Sequence, residues 1–167
     1  VDKLIKIKEK IKQVKKNKKK VIICGNGGSA SIASHFSVDL TKNARVKCVN
    51  FNEPNLITCF SNDYGFERWI EKALDFYGER GDCLILVSSS GKSINMIRAA
   101  KSAKKHKMFF VTTLTGFDGN NPLNKLGHIN LSVDSRAYNI IENVHQIWLL
   151  SIIDLIIGKA EYPAKKK

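Results

Sequence analysis

The sequence predicts a three-layer α/β/α domain on a five-stranded parallel sheet. Short apolar runs of strand length alternate with helix-length segments. The runs are apolar almost throughout, as strands covered on both faces must be. Two of them run straight into glycine/serine loops that open helices. A chain of 167 residues is long enough for one such domain with a sizeable core. The expected organisation is a lysine-rich amphipathic helix over 1–20, an α/β core over 21–158 and a basic tail over 159–167.

In the N-terminal stretch Leu4, Ile7, Ile11 and Val14 recur at three- and four-residue intervals, one apolar seam on a lysine-coated helix. Strands are expected at 21–24, 46–51, 84–88, 108–114 and 129–133. Helices are expected at 30–42, 66–77, 93–106 and 138–157. Gly81-Asp82, the segment 116–122 and Gly127 punctuate the connections.

Residues 1–20 hold ten lysines against Asp2 and Glu9, and Lys165, Lys166 and Lys167 add three more. Most of the net charge of +13 therefore sits at the two ends. Placed so, it reads as solvated surface rather than a nucleic-acid footprint. Cys24, Cys48, Cys59 and Cys83 show no C-x-x-C spacing. They fit a reduced, cytoplasmic protein. No secretory signal is seen, and no membrane partner is expected. The stretch 147–157, which carries Ser151 and Asp154, reads as a buried helix.

The two loops are Gly25-Asn26-Gly27-Gly28-Ser29 and Ser88-Ser89-Ser90-Gly91-Lys92-Ser93. A strand-to-helix junction presents unpaired N–H groups and the positive end of a helix dipole, which favour an anion. Serine hydroxyls add neutral hydrogen bonds. In the flavodoxin-like strand order 2-1-3-4-5 these loops follow neighbouring strands and face one crevice at the switch point. A phosphorylated sugar, held at its phosphate and its hydroxyls, needs that pair. The first loop also satisfies a loose dinucleotide pattern, with Glu53 as a late acidic partner, but no nucleotide cofactor is expected. Gly91-Lys92-Ser93 lacks the first glycine of a P-loop, because that position is Leu86.

His35 and Asp39 stand four apart on the helix after the first loop, and Glu142 and His145 three apart on the last. Each pair shares a face. They are either satisfied polar residues at helix contacts or acid/base groups and part of a metal site. Asp63 is either a helix cap or a carboxylate for sugar hydroxyls.

Taken together, the first loop with His35, Asn62-Asp63-Tyr64-Gly65, the second loop and Glu142-Asn143-Val144-His145 resemble the sugar isomerase (SIS) domain family. The likeness is greatest to its phosphoheptose isomerase branch and covers nearly the whole chain. It implies a homotetramer with active sites between subunits, and interconversion of sedoheptulose 7-phosphate with a heptose phosphate. It implies substrate contacts from Asn26, Gly27, Gly28 and Ser29, hydroxyl binding by Asn62 and Asp63, and a phosphate cradle of Ser88, Ser89, Ser90 and Ser93. It also implies zinc. Of the four family ligand positions, His35 matches, Asp39 replaces Glu, Glu142 replaces Gln and Leu150 replaces His. A family Asp is Asn139 here.

The function expected is an aldose–ketose phosphate isomerase acting through an enediolate, with Asp39 the first choice of base and His35 and Glu142 assisting. Zinc would sit on His35, Asp39 and Glu142, with His145 or water in place of position 150. The alternative from another class is a non-catalytic SIS protein that senses a sugar phosphate or binds another protein.

Overall fold

Five strands, β1 (Val21–Gly25), β2 (Cys48–Asn50), β3 (Cys83–Val87), β4 (Phe110–Thr115) and β5 (Ile129–Ser132), pair in parallel in the expected order β2-β1-β3-β4-β5. The computed structural model describes residues 1–117 and 119–160. The lysines expected in a basic tail, Lys165, Lys166 and Lys167, lie outside those residues.

Side chains of the central strands alternate between two cores, as a period of two requires. Val21, Ile23, Cys83, Ile85 and Val87 join one core with Phe36, Leu40, Leu149 and Ile153. Ile22, Cys24, Leu84 and Leu86 join the other with Trp69, Ile70, Met96 and Ala99. The first core belongs to α1 (Asp2–Lys16), α2 (Gly28–Lys42) and α6 (Tyr138–Ile157). The second belongs to α4 (Trp69–Tyr77) and α5 (Ile94–Lys105), with α3 (Pro54–Tyr64) beside α4.

The helix α3 was not expected, and the helix expected over 66–77 begins only at Trp69. The start of α3 is set by Glu53, whose Oε2 accepts the Leu56 N–H at 2.8 Å, and by Pro54 in its first turn. The Glu53 carboxylate of the loose dinucleotide pattern is thus a helix cap.

The α1 seam is consumed within the fold. Ile7, Ile11 and Val14 are fully buried, and α1 packs on α6. The helix α6 is only half spent. Ile141, His145, Leu149, Ile152 and Ile153 face inward, while Ile140, Ile147 and Leu155 are exposed. By length and composition alone α6 would reach across a bilayer. Its inner face is core, and its outer face is bare.

Candidate active site

Gly25 and Val87, the last residues of β1 and β3, are register partners, so the loops that follow start side by side. An amide pair ties them together. Asn26 Nδ2 donates to Asn95 Oδ1 at 3.1 Å, and Asn95 Nδ2 donates back to Asn26 Oδ1 at 3.0 Å. From the other side Asn52 grips Gly25, accepting its N–H at 3.2 Å and donating to its carbonyl at 2.7 Å.

Between the loops and the start of α6 lies a cavity of about 130 Å³. Ser88, Ser89, Ser90 and Ser93 line it from the second loop, Asn26 and Ser29 from the first, and Tyr138 and Glu142 from α6. Several hydroxyls there are unspent. Ser89 Oγ is buried without a partner, and Ser93 at the N-cap of α5 makes no capping bond. A buried hydroxyl left unpaired costs about 1–3 kcal/mol, which an anionic oxygen in the cavity would relieve.

Two glycines let this site close. At Gly28 a Cβ would stand 2.5 Å from Glu142 Oε2, so a larger residue there would push that carboxylate from its present place. At Gly91 φ is +61° and the Asn121 carboxamide fills the place of a side chain. Gly27 and Gly28 are exposed and do not line the cavity, although Asn26 and Ser29 on either side of them do.

Along the packed seam of α2 and α6 lies a second polar group. His35 Nε2 and Asp39 Oδ2 are 3.2 Å apart, as their spacing predicts. Gln146 Nε2 lies 2.9 Å from His35 Nδ1. An amide nitrogen only donates, so Nδ1 accepts from Gln146, and Nε2 lies beside the Asp39 carboxylate. Glu142 stands one helical turn before Gln146 and joins this group to the serine cradle.

Sequence reasoning missed Gln146, Asn95, Asn52 and Tyr138. Gln146 had a signal, because 142, 146 and 150 share one helix face at four-residue spacing. Asn95 had none, since an Asn in a first helical turn is commonplace.

Other expected groups lie elsewhere. Asn62 and Asp63 are exposed in the last turn of α3, 3.0 Å apart from Nδ2 to Oδ1, and do not line the cavity. Asp63 caps no helix start, because the next N-cap is Arg68. His145 does not share the face of Glu142. It is fully buried, its Nε2 3.0 Å from the Thr115 carbonyl and its Nδ1 without a partner. Burial pushes its pKa down, against the opposing pull of the Thr115 hydrogen bond.

The implied zinc does not fit these residues. His35 Nδ1 is taken by Gln146, which leaves Nε2 alone beside Asp39. Leu150 presents hydrocarbon packed on the core, and His145 is turned away from the other donors. Among the described residues no three His, Cys, Asp or Glu side chains stand close enough to hold a metal ion.

Comparison with known proteins identifies the family. Residues 1–116 match the family model described as SIS domain. The phosphoheptose isomerase of Fusobacterium nucleatum is 34% identical over 154 residues, which are 89% of this chain and 78% of that protein. That of Buchnera aphidicola is 37% identical over 155 residues, 89% of this chain and 79% of its own length. The solved phosphoheptose isomerase of Neisseria gonorrhoeae superposes with a TM-score of 0.88 at 32% identity, covering 95% of this chain and 86% of that one. The chain belongs to the SIS domain family and, within it, to the phosphoheptose isomerase branch.

Proposed function

We propose that this protein is a sugar-phosphate aldose–ketose isomerase that works through an enediolate. The observation that carries the assignment is the convergence of two strand-to-helix loops, locked by Asn26 and Asn95, on a serine-lined cavity that also contains the Glu142 carboxylate. Kinship with phosphoheptose isomerases supports a seven-carbon substrate.

In this reading Ser88, Ser89, Ser90 and Ser93 hold the phosphate, and Asn26, Gly27, Gly28 and Ser29 hold the adjoining hydroxyls. The sequence puts Asp39 first as the proton carrier. The cavity's own carboxylate is Glu142, and we assign it the transfer. It takes the proton from the carbon beside the carbonyl and returns it to the neighbouring carbon. His35, held at Nδ1 by Gln146 with Nε2 beside Asp39, serves the carbonyl oxygen through Nε2 farther along the seam of α2 and α6.

Asn62 and Asp63 lie outside the cavity of one chain, and the family resemblance, which implies active sites between subunits, supports their acting across a subunit boundary. The bare outer face of α6 supports a homo-oligomer, and the family resemblance a tetramer. The four free cysteines support a reducing, cytoplasmic setting.

Incubation with matched ketose and aldose phosphates, followed by NMR, tests the assignment. Interconversion of one pair, slowed when Ser88 or Ser93 is replaced by Ala, is expected. Binding of a sugar phosphate with no interconversion would instead favour a sensor.

A further inference from the structure

Glu142, Gln146 and Leu150 share one face of α6 at four-residue spacing: a carboxylate, an amide and hydrocarbon. Glu142 stands against Gly28 on α2, and Gln146 against His35, about two turns farther along that helix. A sugar phosphate seated in the serine cradle therefore meets Glu142 first and His35 next. The side chain of His35 is 54% exposed, so its ring stays open to such a ligand.

Both neighbours of His35 select the same tautomer. Gln146 Nε2, 2.9 Å from Nδ1, only donates, so Nδ1 keeps its lone pair. Asp39 Oδ2 stands 3.2 Å from Nε2, where a proton meets negative charge and a lone pair would be repelled by it. The reverse orientation of the amide would put the proton on Nδ1 and leave a lone pair against the Asp39 carboxylate, which is the worse arrangement. A neutral His35 thus carries its one proton on Nε2.

That polarity is opposite to what a metal needs. A ligating imidazole offers a lone pair to the ion and donates from its other nitrogen to an acceptor. Here the other nitrogen faces a donor. Leu150, one turn beyond Gln146, supplies no ligand atom. An N–H at Nε2 is instead what a carbonyl oxygen requires, and a neutral imidazole can polarise a carbonyl without becoming an imidazolium.

We propose that Gln146 is a positioning residue that fixes the Nε2–H form of His35, so that this chain polarises the sugar carbonyl with an imidazole N–H in place of zinc. The inference rests on the isomerase reading. As Glu142 takes the proton from the carbon beside the carbonyl, the C–H pair forms the carbon–carbon double bond and the carbonyl pair moves onto its oxygen. That oxygen takes the Nε2 proton, and Nε2 regains one from the neighbouring hydroxyl. Glu142 then returns its proton to the former carbonyl carbon as the new carbonyl forms next to it, and both side chains end as they began.

The place of the proton is read by NMR. In the intact 15N-labelled protein, at alkaline pH where imidazoles are neutral, the ring nitrogens of His35, assigned by their loss in His35→Gln, should report Nε2–H. Gln146→Glu, whose carboxylate accepts at Nδ1, should draw the proton towards Nδ1. Gln146→Leu should lower kcat about ten-fold with KM little changed, because Gln146 orients the ring and does not hold the substrate. Wild-type protein exposed to zinc and then dialysed should retain much less than one zinc per chain, and its turnover should survive a chelator. An Nδ1–H tautomer in the wild type overturns the inference, and so does one zinc retained per chain or an unchanged kcat in Gln146→Leu. A wild type with the proton on Nε2 that interconverts no sugar phosphate overturns the isomerase reading itself.

Discussion

Asn26 and Asn95, 69 residues apart in sequence, face each other amide to amide with hydrogen bonds of 3.1 and 3.0 Å in both directions. Among the described residues no other pair of side chains joins the two loops so directly, and it fixes their separation. Asn95→Ala should leave half-buried Asn26 without its partner, at a cost of about 1–2 kcal/mol. The loops would then drift, so KM for a sugar phosphate should rise more than kcat falls. A variant that loses stability but keeps its KM would show that the pair serves the fold alone.

The two carboxylates of the site have separable roles. Glu142→Gln keeps the shape at the cavity but removes a proton acceptor, so turnover should fall by about 10²–10⁴-fold with little loss of binding. Asp39→Asn acts through His35 and should cost less. The reverse order in steady-state assays would make Asp39 the proton carrier.

Much of this was legible in the residues. The five apolar runs and the helices between them give the strand order, because a two-sided parallel sheet has few alternatives. The two loops give the cradle, because glycine and serine at strand ends have a local chemical meaning. What stayed hidden depends on rotation and distance. Glu142 and His145 are three apart, yet one lines the cavity and the other turns into the core, a difference decided by how α6 sits on α1 and α2. The α1 seam does not by itself say what covers it, and only the packed structure shows that α6 does. Pro54, in the first turn of α3, is a helix-start signal legible in the residues.

Ile147 is 60% exposed on the outer face of α6, beside exposed Ile140 and Leu155. If that face joins subunits, Ile147→Lys should break the assembly, because an unpaired ammonium at an apolar interface is costly. Light scattering should show an oligomer for the wild type and a smaller species for the variant. A wild-type monomer at micromolar concentration would refute the shared interface.

His145 gives a pH signature for stability. Its folded pKa lies below the ordinary 6.5 because burial disfavours the charged imidazole. The unfolded chain therefore binds the proton more readily. The contribution of neutral His145 is fully present above pH 6.5 and is lost as pH falls from there through the folded pKa. Denaturant melts at pH 7.5 and pH 5.5 should show lower stability at the acid end. His145→Gln, which keeps a donor for Thr115 but does not titrate, should reduce that difference. An unchanged difference would locate the titration elsewhere.

The measurement that bears most directly on the isomerase assignment is solvent exchange during turnover. The protein is incubated in heavy water with sedoheptulose 7-phosphate, then with shorter ketose phosphates, and the sugar is read by NMR. An enediolate route predicts deuterium at the carbon beside the carbonyl, appearing with the aldose product and lost in Glu142→Gln. Bound sugar phosphate that stays free of deuterium throughout would contradict it.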